Sequence, residues 1–296
     1  MGTVGTQTRI QLKNILFTTD FSPAAEAAAP YAAELANRYG AKLYALHVRP
    51  LVVNPASTPE SWERIQEAIK LTEAEDRSKL KKEFAGIEAQ VLIKEGYFWS
   101  NLSAVIESEK IDLIVMGTRG LSGAAKLLMG STAEEVFREV ACPVLTVGPG
   151  TESLPKTGQF TNIVFATDFT AESLAAAPYA LSLAQEFQAK LTLMHVITDR
   201  KVGELVRAEE LRESSLHRLR SLAGPETELW CTPAAVVEEG EPAEKILDVA
   251  HRKQADLVVL GVRKSTGFPG AASHLPIAIA HKIVSHAGCP VLTVRG

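Results

Sequence analysis

The chain has 296 residues, of which 46% are hydrophobic and 22% charged, a composition typical of soluble globular proteins and a length that suits two domains of about 150 residues each. A net charge of −4 argues against a nucleic-acid partner, and no apolar run is long enough to cross a membrane. The N-terminal segment lacks the apolar core of a signal peptide, and the three cysteines show no CxxC spacing, so we expect a cytoplasmic protein without a disulfide framework or a zinc site.

One sequence unit occurs twice along the chain. NILFTTDFSPAAEAAAPYAAELA at Asn14 recurs as NIVFATDFTAESLAAAPYALSLA at Asn162, and ACPVLTV at Ala141 recurs as GCPVLTV at Gly288. Matches of this length indicate duplication of a structural unit. The stretch between the two units is rich in Gly, Pro, Ser and Thr and has no apolar periodicity, as expected of a linker. We therefore predict two tandem domains, copy one (9–148) and copy two (159–296), joined by a linker at 149–158.

Short β-branched runs alternate with longer amphipathic stretches in each copy, which is the pattern of βαβ units around a parallel sheet. We therefore predict an α/β fold of two doubly wound domains, each with a five-stranded parallel sheet and helices on both faces. In copy one the predicted strands are 14–19, 42–48, 88–94, 113–117 and 143–147.

Two helices of copy one carry clear sequence signals. Ser22 followed by Pro23 predicts a helix start, because the hydroxyl caps free N–H groups and proline suits the first helical position. Residues 61–86 are rich in helix formers, and we expect their charges to form a solvated face. The apolar positions of this second helix are Trp62, Ile65, Ile69 and Leu80.

The segment after the fourth strand of copy one reads GTRGLSGAAKLLMGST, with glycines at 117, 120 and 130 directly before Ser131 and Thr132. Glycine lets backbone approach an anion closely and adopt positive φ, and the start of the next helix favours negative charge. The loop therefore predicts a phosphate site. The plainer alternatives are that the glycines only form turns, and that Arg119 and Lys126 keep the loop solvated instead of assisting phosphates.

The pattern G-x2-G-x9-G-(S/T), together with TTD at strand one, LHV at strand two and CPVLTV at strand five, resembles the ATP-binding signature of universal stress proteins. The resemblance extends over 11–147 and 159–295. It implies an adenine nucleotide alpha hydrolase-like sheet of order 3-2-1-4-5 in each copy, ATP as ligand with AMP or ADP as alternatives, and Mg²⁺ as an accompanying ion. It also implies that 144–147 pairs with 291–294 in an intrachain pseudo-dimer, with a homodimer of whole chains as a further assembly.

For copy one the resemblance also implies which residues contact the nucleotide. The end of strand one would border the adenosine, and the backbone after strand two would meet the adenine. The end of strand four would line the sugar and phosphates, and the glycine loop would hold the phosphates. In that order the residues are Thr18, Thr19 and Asp20; Val48; Met116 and Gly117; and Arg119, Gly120, Gly130, Ser131 and Thr132.

Copy two keeps the strand-end positions but departs from the glycine loop. The strand ends retain Asp168, Val196 and Gly261. Lys264 stands at the second glycine, and counting from the shared Cys-Pro pair places Ile277, Ala278 and Ile279 where copy one has 130–132. A branched side chain then replaces backbone that should touch phosphate, so we predict one nucleotide per chain, in copy one. Gly267 and Gly270 could build a different loop, and this pocket could hold a smaller ligand.

Several strand-end residues have a purely structural alternative. Asp20 and Asp168 could be turn or capping carboxylates. His47 and His195 lie beside apolar residues, which favours packed, hydrogen-bonded rings over acid–base catalysts. Two cysteines that precede proline suit small buried positions and not redox chemistry, namely Cys142 and Cys289.

Catalysis is not evident in the sequence. A GxxxxGK[ST] loop is absent and no paired base and nucleophile can be named, so at most weak ATP hydrolysis is expected. His281 and His286 do not share a helix face cleanly, so no metal site is expected. We therefore expect an ATP-binding regulatory or stress-response protein. The alternatives are a protein-interaction scaffold with optional nucleotide binding and a transferase that uses copy one as its donor site.

Overall fold

The computed structural model describes residues 9–51, 58–118, 130–148, 151, 157–198, 205–224, 227, 231–263 and 274–296. Copy one contains, in chain order, β1 (Asn14–Thr19), α1 (Pro23–Tyr39), β2 (Lys42–Arg49), α2 (Pro59–Glu83), β3 (Ala89–Glu95), α3 (Phe98–Glu109), β4 (Leu113–Gly117), α4 (Ser131–Glu139) and β5 (Val144–Val147).

Copy two repeats this order with one extra short helix after its first strand. Its elements are β6 (Asn162–Ala166), α5 (Ala171–Leu174), α6 (Ala177–Phe187), β7 (Lys190–Ile197), α7 (Leu205–Leu222), β8 (Ala234–Glu239), α8 (Pro242–Arg252), β9 (Leu257–Val262), α9 (His274–His286) and β10 (Val291–Arg295).

The strands of both copies form one sheet of ten, in the order β3-β2-β1-β4-β5-β10-β9-β6-β7-β8. Within each copy the five strands are parallel and follow the predicted order 3-2-1-4-5, which confirms the fold class. The sheet of ten differs in strand count from the two predicted five-stranded sheets, because the expected pairing of 144–147 with 291–294 makes the two sheets continuous. In each copy the chain changes direction across the sheet after its third strand, which opens a crevice at the carboxyl ends of the central strands.

Helices cover both faces of the sheet, as expected for a doubly wound fold. One core contains apolar residues of α1, α2, α6 and α7 packed on the strands, and the other contains those of α3, α4, α8 and α9. The inner strands are buried on both sides because each face is covered by helices, and this explains their nearly continuous apolar sequences. The edge strands β3 and β8 are partly exposed. No helix in the described ranges is long and apolar enough to cross a membrane.

The two predicted helices of copy one form where their signals place them. α1 begins at Pro23, and the Ser22 hydroxyl accepts a hydrogen bond from the Ala25 N–H at 3.3 Å. α1 ends at Gly40, whose φ of +61° is left-handed and suits the turn into β2. α2 covers most of 61–86 and packs Leu80 into the core.

The two copies are joined by antiparallel pairing of β5 with β10, the predicted intrachain pairing. Leu145 lies opposite Leu292, at the centre of the paired segment. The buried Thr146 hydroxyl donates to the Val291 carbonyl at 3.0 Å, and Thr293 donates to Val144 at 3.3 Å. These reciprocal bonds relate the copies by an approximate twofold axis and cover two strand edges that would otherwise be open to other chains.

A second contact between the copies lies where the chain enters β6. Phe160 is 1% exposed and stacks on Tyr31 of α1 with ring centroids 5.6 Å apart. Its other side meets the edge of Phe187, with centroids 4.9 Å apart. Arg38 of α1 donates to the Glu186 carbonyl at 2.7 Å. Helices of both copies are therefore packed around one aromatic side chain, in addition to the shared sheet.

Candidate functional site

The ends of β1, β2 and β4 meet at one edge of the sheet in copy one. The register places Thr19 beside His47 and Thr18 beside Met116. Thr18, Thr19 and Met116 are buried, whereas Val48, one residue beyond His47, is half-buried at the edge. The predicted adenosine end of the site is therefore assembled by adjacent strands, with its polar groups at their carboxyl ends.

Asp20 lies in a tight turn between β1 and α1. The Asp20 Oδ1 accepts a hydrogen bond from the Ser22 N–H at 3.0 Å, and the Thr19 hydroxyl accepts one from the Phe21 N–H at 2.9 Å. Phe21 has a left-handed φ of 59°, which these side-chain bonds help to hold. Asp20 is thus a turn carboxylate, as the structural alternative predicted. Because its side chain is only half-buried, this role is compatible with ligand binding.

His47 is held between β1 and α2. Its Nδ1 donates to the Thr19 carbonyl at 2.8 Å, while its Nε2 lies 3.9 Å from Oδ2 of Asp76. Phe21 packs on the imidazole with ring centroids 4.7 Å apart. The expected packed, hydrogen-bonded ring is confirmed. The expectation that all charges of the second helix face solvent is wrong for Asp76, which is 5% exposed and faces His47.

The end of β4 is packed against α1. A Cβ on Gly117 would lie 2.6 Å from the Ala24 carbonyl carbon and 2.7 Å from the Ala25 nitrogen. Close approach of the helix therefore requires glycine here for a reason unrelated to any ligand. Gly261 of copy two is equally restricted, by the backbone of Glu172 and Ser173.

The glycine loop leaves β4 and returns beside it. Arg119 and Gly120 lie outside the described residues, so their predicted phosphate contacts stay predictions. Thr118 donates its N–H to the Val147 carbonyl at 2.9 Å, and its own carbonyl accepts from the Gly130 N–H at 2.8 Å. These two bonds hold Gly130 next to the end of β4. The start of α4 is therefore part of the same edge as Met116 and Gly117.

Gly130 is the N-cap of α4. Its φ of −65° and ψ of 149° are extended values that other residues also adopt, so its importance does not lie in positive φ. It has no side chain to cap the first turn, and Ser131 and Thr132 open the helix, with Thr132 exposed. The first N–H groups of a helix lack intrahelical partners and carry partial positive charge, so this start can accept an anion.

The turn after β6 in copy two has nearly the same hydrogen bonds as the turn after β1 in copy one. The Thr167 hydroxyl accepts from the Phe169 N–H at 2.9 Å, and His195 Nδ1 donates to the Thr167 carbonyl at 2.8 Å. Phe169 has a φ of 62° and lies 4.6 Å from the His195 ring. The Asp168 Oδ1 accepts from the Thr170 N–H and hydroxyl, at 3.0 and 2.6 Å. Asp168 therefore forms the predicted capping turn.

The helix before the last strand differs between the copies. α4 and α9 end at equivalent residues, Glu139 and His286, which are 147 positions apart like Cys142 and Cys289. α9 nevertheless begins at His274, four residues before the equivalent of Ser131. Ala278 and Ile279 therefore lie inside the helix, where their N–H groups bond to carbonyls four residues back. Copy two has no helix start at the predicted phosphate position.

A cavity of about 540 Å³ opens at the carboxyl edge of the strands of copy two. Residues at the ends of β6, β7 and β9 line it, together with residues of α7, α8 and α9. Apolar wall residues include Met194, Val196, Leu211, Ile246, Ile279 and Ile283, and polar ones include Asp168, Glu172, His195, Ser214, Arg218 and Arg263. Sequence reasoning placed the complete site in copy one, yet the described residues of copy two also enclose a space large enough for a small molecule.

Two ionisable groups at this cavity, Asp168 and His195, have shifted pKa values. Burial by itself would raise the pKa of Asp168, but hydrogen bonds from Ser173 and Thr170 outweigh it, so the pKa is below its usual value and the side chain is ionised. Burial lowers the pKa of His195, and its bond to the Thr167 carbonyl opposes this only in part. The cavity therefore presents a carboxylate and a neutral imidazole at neutral pH.

The cysteines near the strand starts are shielded. Burial raises the pKa of both Cys142 and Cys289 to about 12, so the thiols stay protonated at neutral pH and are weak nucleophiles. Cys289 is fully buried, as expected, and Cys142 is half-buried. In the described part of the chain no three metal-binding side chains come together.

These features define a tandem doubly wound α/β protein with the same turn at the carboxyl end of the first strand of each copy and a cavity at that edge of copy two. The family model of the universal stress protein family matches 11–148 and again 159–295, so the chain belongs to this family as a tandem member. A universal stress protein of Mycobacterium tuberculosis is 26% identical over 247 residues, covering 81% of this chain and 82% of that protein. One from Methanocaldococcus jannaschii is 38% identical over 140 residues, covering 46% of this chain and 81% of that protein.

A solved structure supports the fold over almost the whole chain. The crystal structure of a universal stress protein from Archaeoglobus fulgidus matches with a TM-score of 0.73 at 20% identity, covering 97% of this chain and 99% of that one. Since the match covers both copies, it includes the tandem arrangement.

Proposed function

We propose that the protein is an ATP-binding regulatory module of the cytoplasm that binds one adenine nucleotide, in copy one. The observation that carries the proposal is the position of Gly130, which the Thr118 carbonyl holds beside the end of β4 at the uncapped start of α4. A glycine N-cap offers the backbone N–H groups of the first helical turn to a phosphate, and the exposed Thr132 adds a hydroxyl donor.

The other residues of the edge suit the rest of a nucleotide. Asp20 is half-buried and can accept hydrogen bonds from ribose hydroxyls, and the half-buried Val48 presents the strand-two backbone to a base. Thr18, Thr19 and Met116 form the buried floor between them. Bound ATP would supply negative charge at the start of α4, and Mg²⁺ would neutralise part of it. AMP and ADP would use the same adenosine end with fewer phosphate contacts.

The described residues favour a regulatory role over catalysis. His47, the most evident candidate for a base, donates its Nδ1 proton to the Thr19 carbonyl and is packed against Phe21. No described nucleophile is hydrogen-bonded to it. We expect at most slow ATP hydrolysis. The fraction of chains with bound ATP would then reflect the state of the cell.

The test identifies the bound molecule and then removes the phosphate end of the site. Nucleotide released by denaturing the purified chain is identified by mass spectrometry, and ATP is titrated into wild type, Gly130→Ile and Gly288→Ile. Gly288→Ile is the matched control, because no atom lies within 4 Å of a Cβ at that exposed glycine. We expect one ATP per chain for wild type and Gly288→Ile, and loss of binding for Gly130→Ile. Equal binding by all three proteins would place the nucleotide elsewhere.

The continuous sheet favours a second function, that of an interaction scaffold with optional nucleotide binding. The β5 and β10 edges are paired within the chain, so the assembly surface of copy two is already in use without any ligand. A homodimer of whole chains would therefore need a different surface. Wild-type protein that neither retains nor binds an adenine nucleotide would favour this scaffold function.

A further inference from the structure

The cavity of copy two is less polar than the equivalent site of copy one. At three positions a polar or charged group of copy one is replaced by a less polar one. Arg49 pairs with Glu95 in the register of copy one, and the equivalent pair in copy two is Ile197 with Glu239. A second wall position exchanges Thr132 for Ile279, which are 147 residues apart like the Cys-Pro pairs.

The buried carboxylate of copy one has also disappeared. Asp76 lies three residues before Lys79, whose Nζ is 5.2 Å from the centre of the Phe21 ring. In copy two Arg218 lies 3.9 Å from the centre of the Phe169 ring. The residue three positions before Arg218 is the buried Ser215, which lines the cavity. The position of the acid that lies near His47 in copy one is therefore occupied by a serine in copy two.

The remaining charges at the cavity have partners within the protein. Arg263 pairs with Glu172, with Nε 3.4 Å from Oε1, across the end of β9. Arg218 is stacked on Phe169. A phosphate entering here would meet the carboxylates of Asp168 and Glu172, and α9 offers no helix start at the position where α4 begins. The charges of Asp168 and Glu172 offset those of Arg218 and Arg263, so the wall offers an anion neither net positive charge nor a helix start.

The walls that the two copies share are those of the base and sugar end. The turn with Thr167, Asp168 and Phe169 and the bond from His195 have the geometry of their counterparts in copy one. Ile246, Ile279 and Ile283 add apolar surface to the same cavity. A largely apolar cavity of this size with a few polar groups is typical of a small-molecule site.

We propose that copy two binds an uncharged heterocycle that carries hydroxyl groups, the chemical class of a nucleoside, and excludes nucleotides. The choice of a nucleoside rests on the proposed nucleotide function of copy one, whose base and sugar walls copy two repeats. The apolar walls cover the ring, and Asp168, an exposed carboxylate with acceptor capacity beyond its bonds from Thr170 and Ser173, accepts from the hydroxyls. The chain would then respond to two related ligands through two different sites.

The test measures adenosine binding to the full chain by equilibrium dialysis in excess ATP, which occupies copy one. Ser214→Trp places a large ring at an exposed wall position of the cavity. Ser221→Trp is the matched control on the same helix, exposed and outside the cavity wall. Ile197→Arg restores the charged residue of copy one. We expect wild type and Ser221→Trp to bind one adenosine per chain. Binding should weaken roughly tenfold or more in Ser214→Trp and Ile197→Arg, because each fills or charges the cavity.

Three outcomes would overturn the inference: no adenosine binding in excess ATP, adenosine binding unaffected by Ser214→Trp, or ATP binding weakened by Ser214→Trp. If the wild-type chain binds palmitate but no adenosine, and Ser214→Trp weakens the palmitate binding, the inference is also overturned, in favour of a lipid-like ligand. Whether copy one binds ATP is tested separately, by the effect of Gly130→Ile on ATP binding. A chain could bind no ATP and still bind adenosine in a way that Ser214→Trp weakens. That result would support the inference and contradict the nucleotide function.

Discussion

Replacement of Gly117 by alanine is expected to destabilise the fold, although it adds only one methyl group. That methyl would lie 2.6 Å from the Ala24 carbonyl carbon and 2.7 Å from the Ala25 nitrogen, whereas favourable carbon contacts need about 3.5–4.0 Å. Both atoms belong to the backbone of the first turn of α1, so no side chain can rotate away and the helix itself must move. Overpacking of this kind costs about 1–3 kcal/mol of unfolding free energy.

The control for this change is Gly148→Ala, just beyond the neighbouring strand β5. A Cβ at Gly148 would have the Val284 carbonyl oxygen at 3.6 Å and the Thr118 hydroxyl at 3.7 Å as its nearest neighbours, which are ordinary contacts. Alanine also restricts the unfolded chain, so at a position without strain it stabilises by about 0.4–1 kcal/mol. The two substitutions should therefore change stability in opposite directions.

The assay is urea unfolding of wild type and both variants, followed by circular dichroism and fluorescence. Gly117→Ala should lower the unfolding midpoint with little change in slope, and Gly148→Ala should leave it unchanged or raise it. A Gly117→Ala protein as stable as wild type would refute the steric reasoning. Equal losses in both variants would show that the strand ends tolerate no methyl group, whatever the distance to α1.

Two further predictions concern the contact between the copies and the buried histidine. Phe160→Ala removes a ring enclosed by Tyr31 and Phe187 and should cost about 3–5 kcal/mol in the same urea assay, whereas Trp62→Ala, at a side chain 38% exposed, should stay within about 0.5 kcal/mol. His195 should titrate below the usual histidine pKa of about 6.5 in an NMR pH series, because burial disfavours its charged form. Its contribution to stability is then complete above the unfolded pKa and falls as the pH drops towards the folded pKa, and a midpoint at or above about 6.5 would contradict this assignment.

The fold could be predicted because its signals are local and repeated. β1 and β4 have the predicted boundaries, and β2, β3 and β5 differ from them by one residue at their ends. Buried strands of a parallel sheet are continuous apolar runs between polar turns, so their limits are visible without tertiary information. The start of α1 was equally clear, since Ser22 and Pro23 act on the first helical turn alone.

The site was less predictable, because side chains distant in sequence complete it. Asp76 belongs to a helix whose other charges are mostly exposed, and no periodicity distinguishes the one carboxylate that faces His47. Gly117 is a ligand-loop glycine in the sequence pattern, yet contact with α1 already requires it. The loss of the phosphate position in copy two was predicted from Ile277 to Ile279, but the early start of α9 was not.

The sequence by itself determined the duplication, the α/β class, the order of elements and the asymmetry of the two glycine loops. Each of these depends on residue type and spacing within a few turns of chain. Only the tertiary structure decided that Phe160 lies between helices of both copies and that copy two has a cavity with mostly apolar walls. These features depend on which surfaces meet, and burial and close packing between distant segments decide that after the local elements have formed.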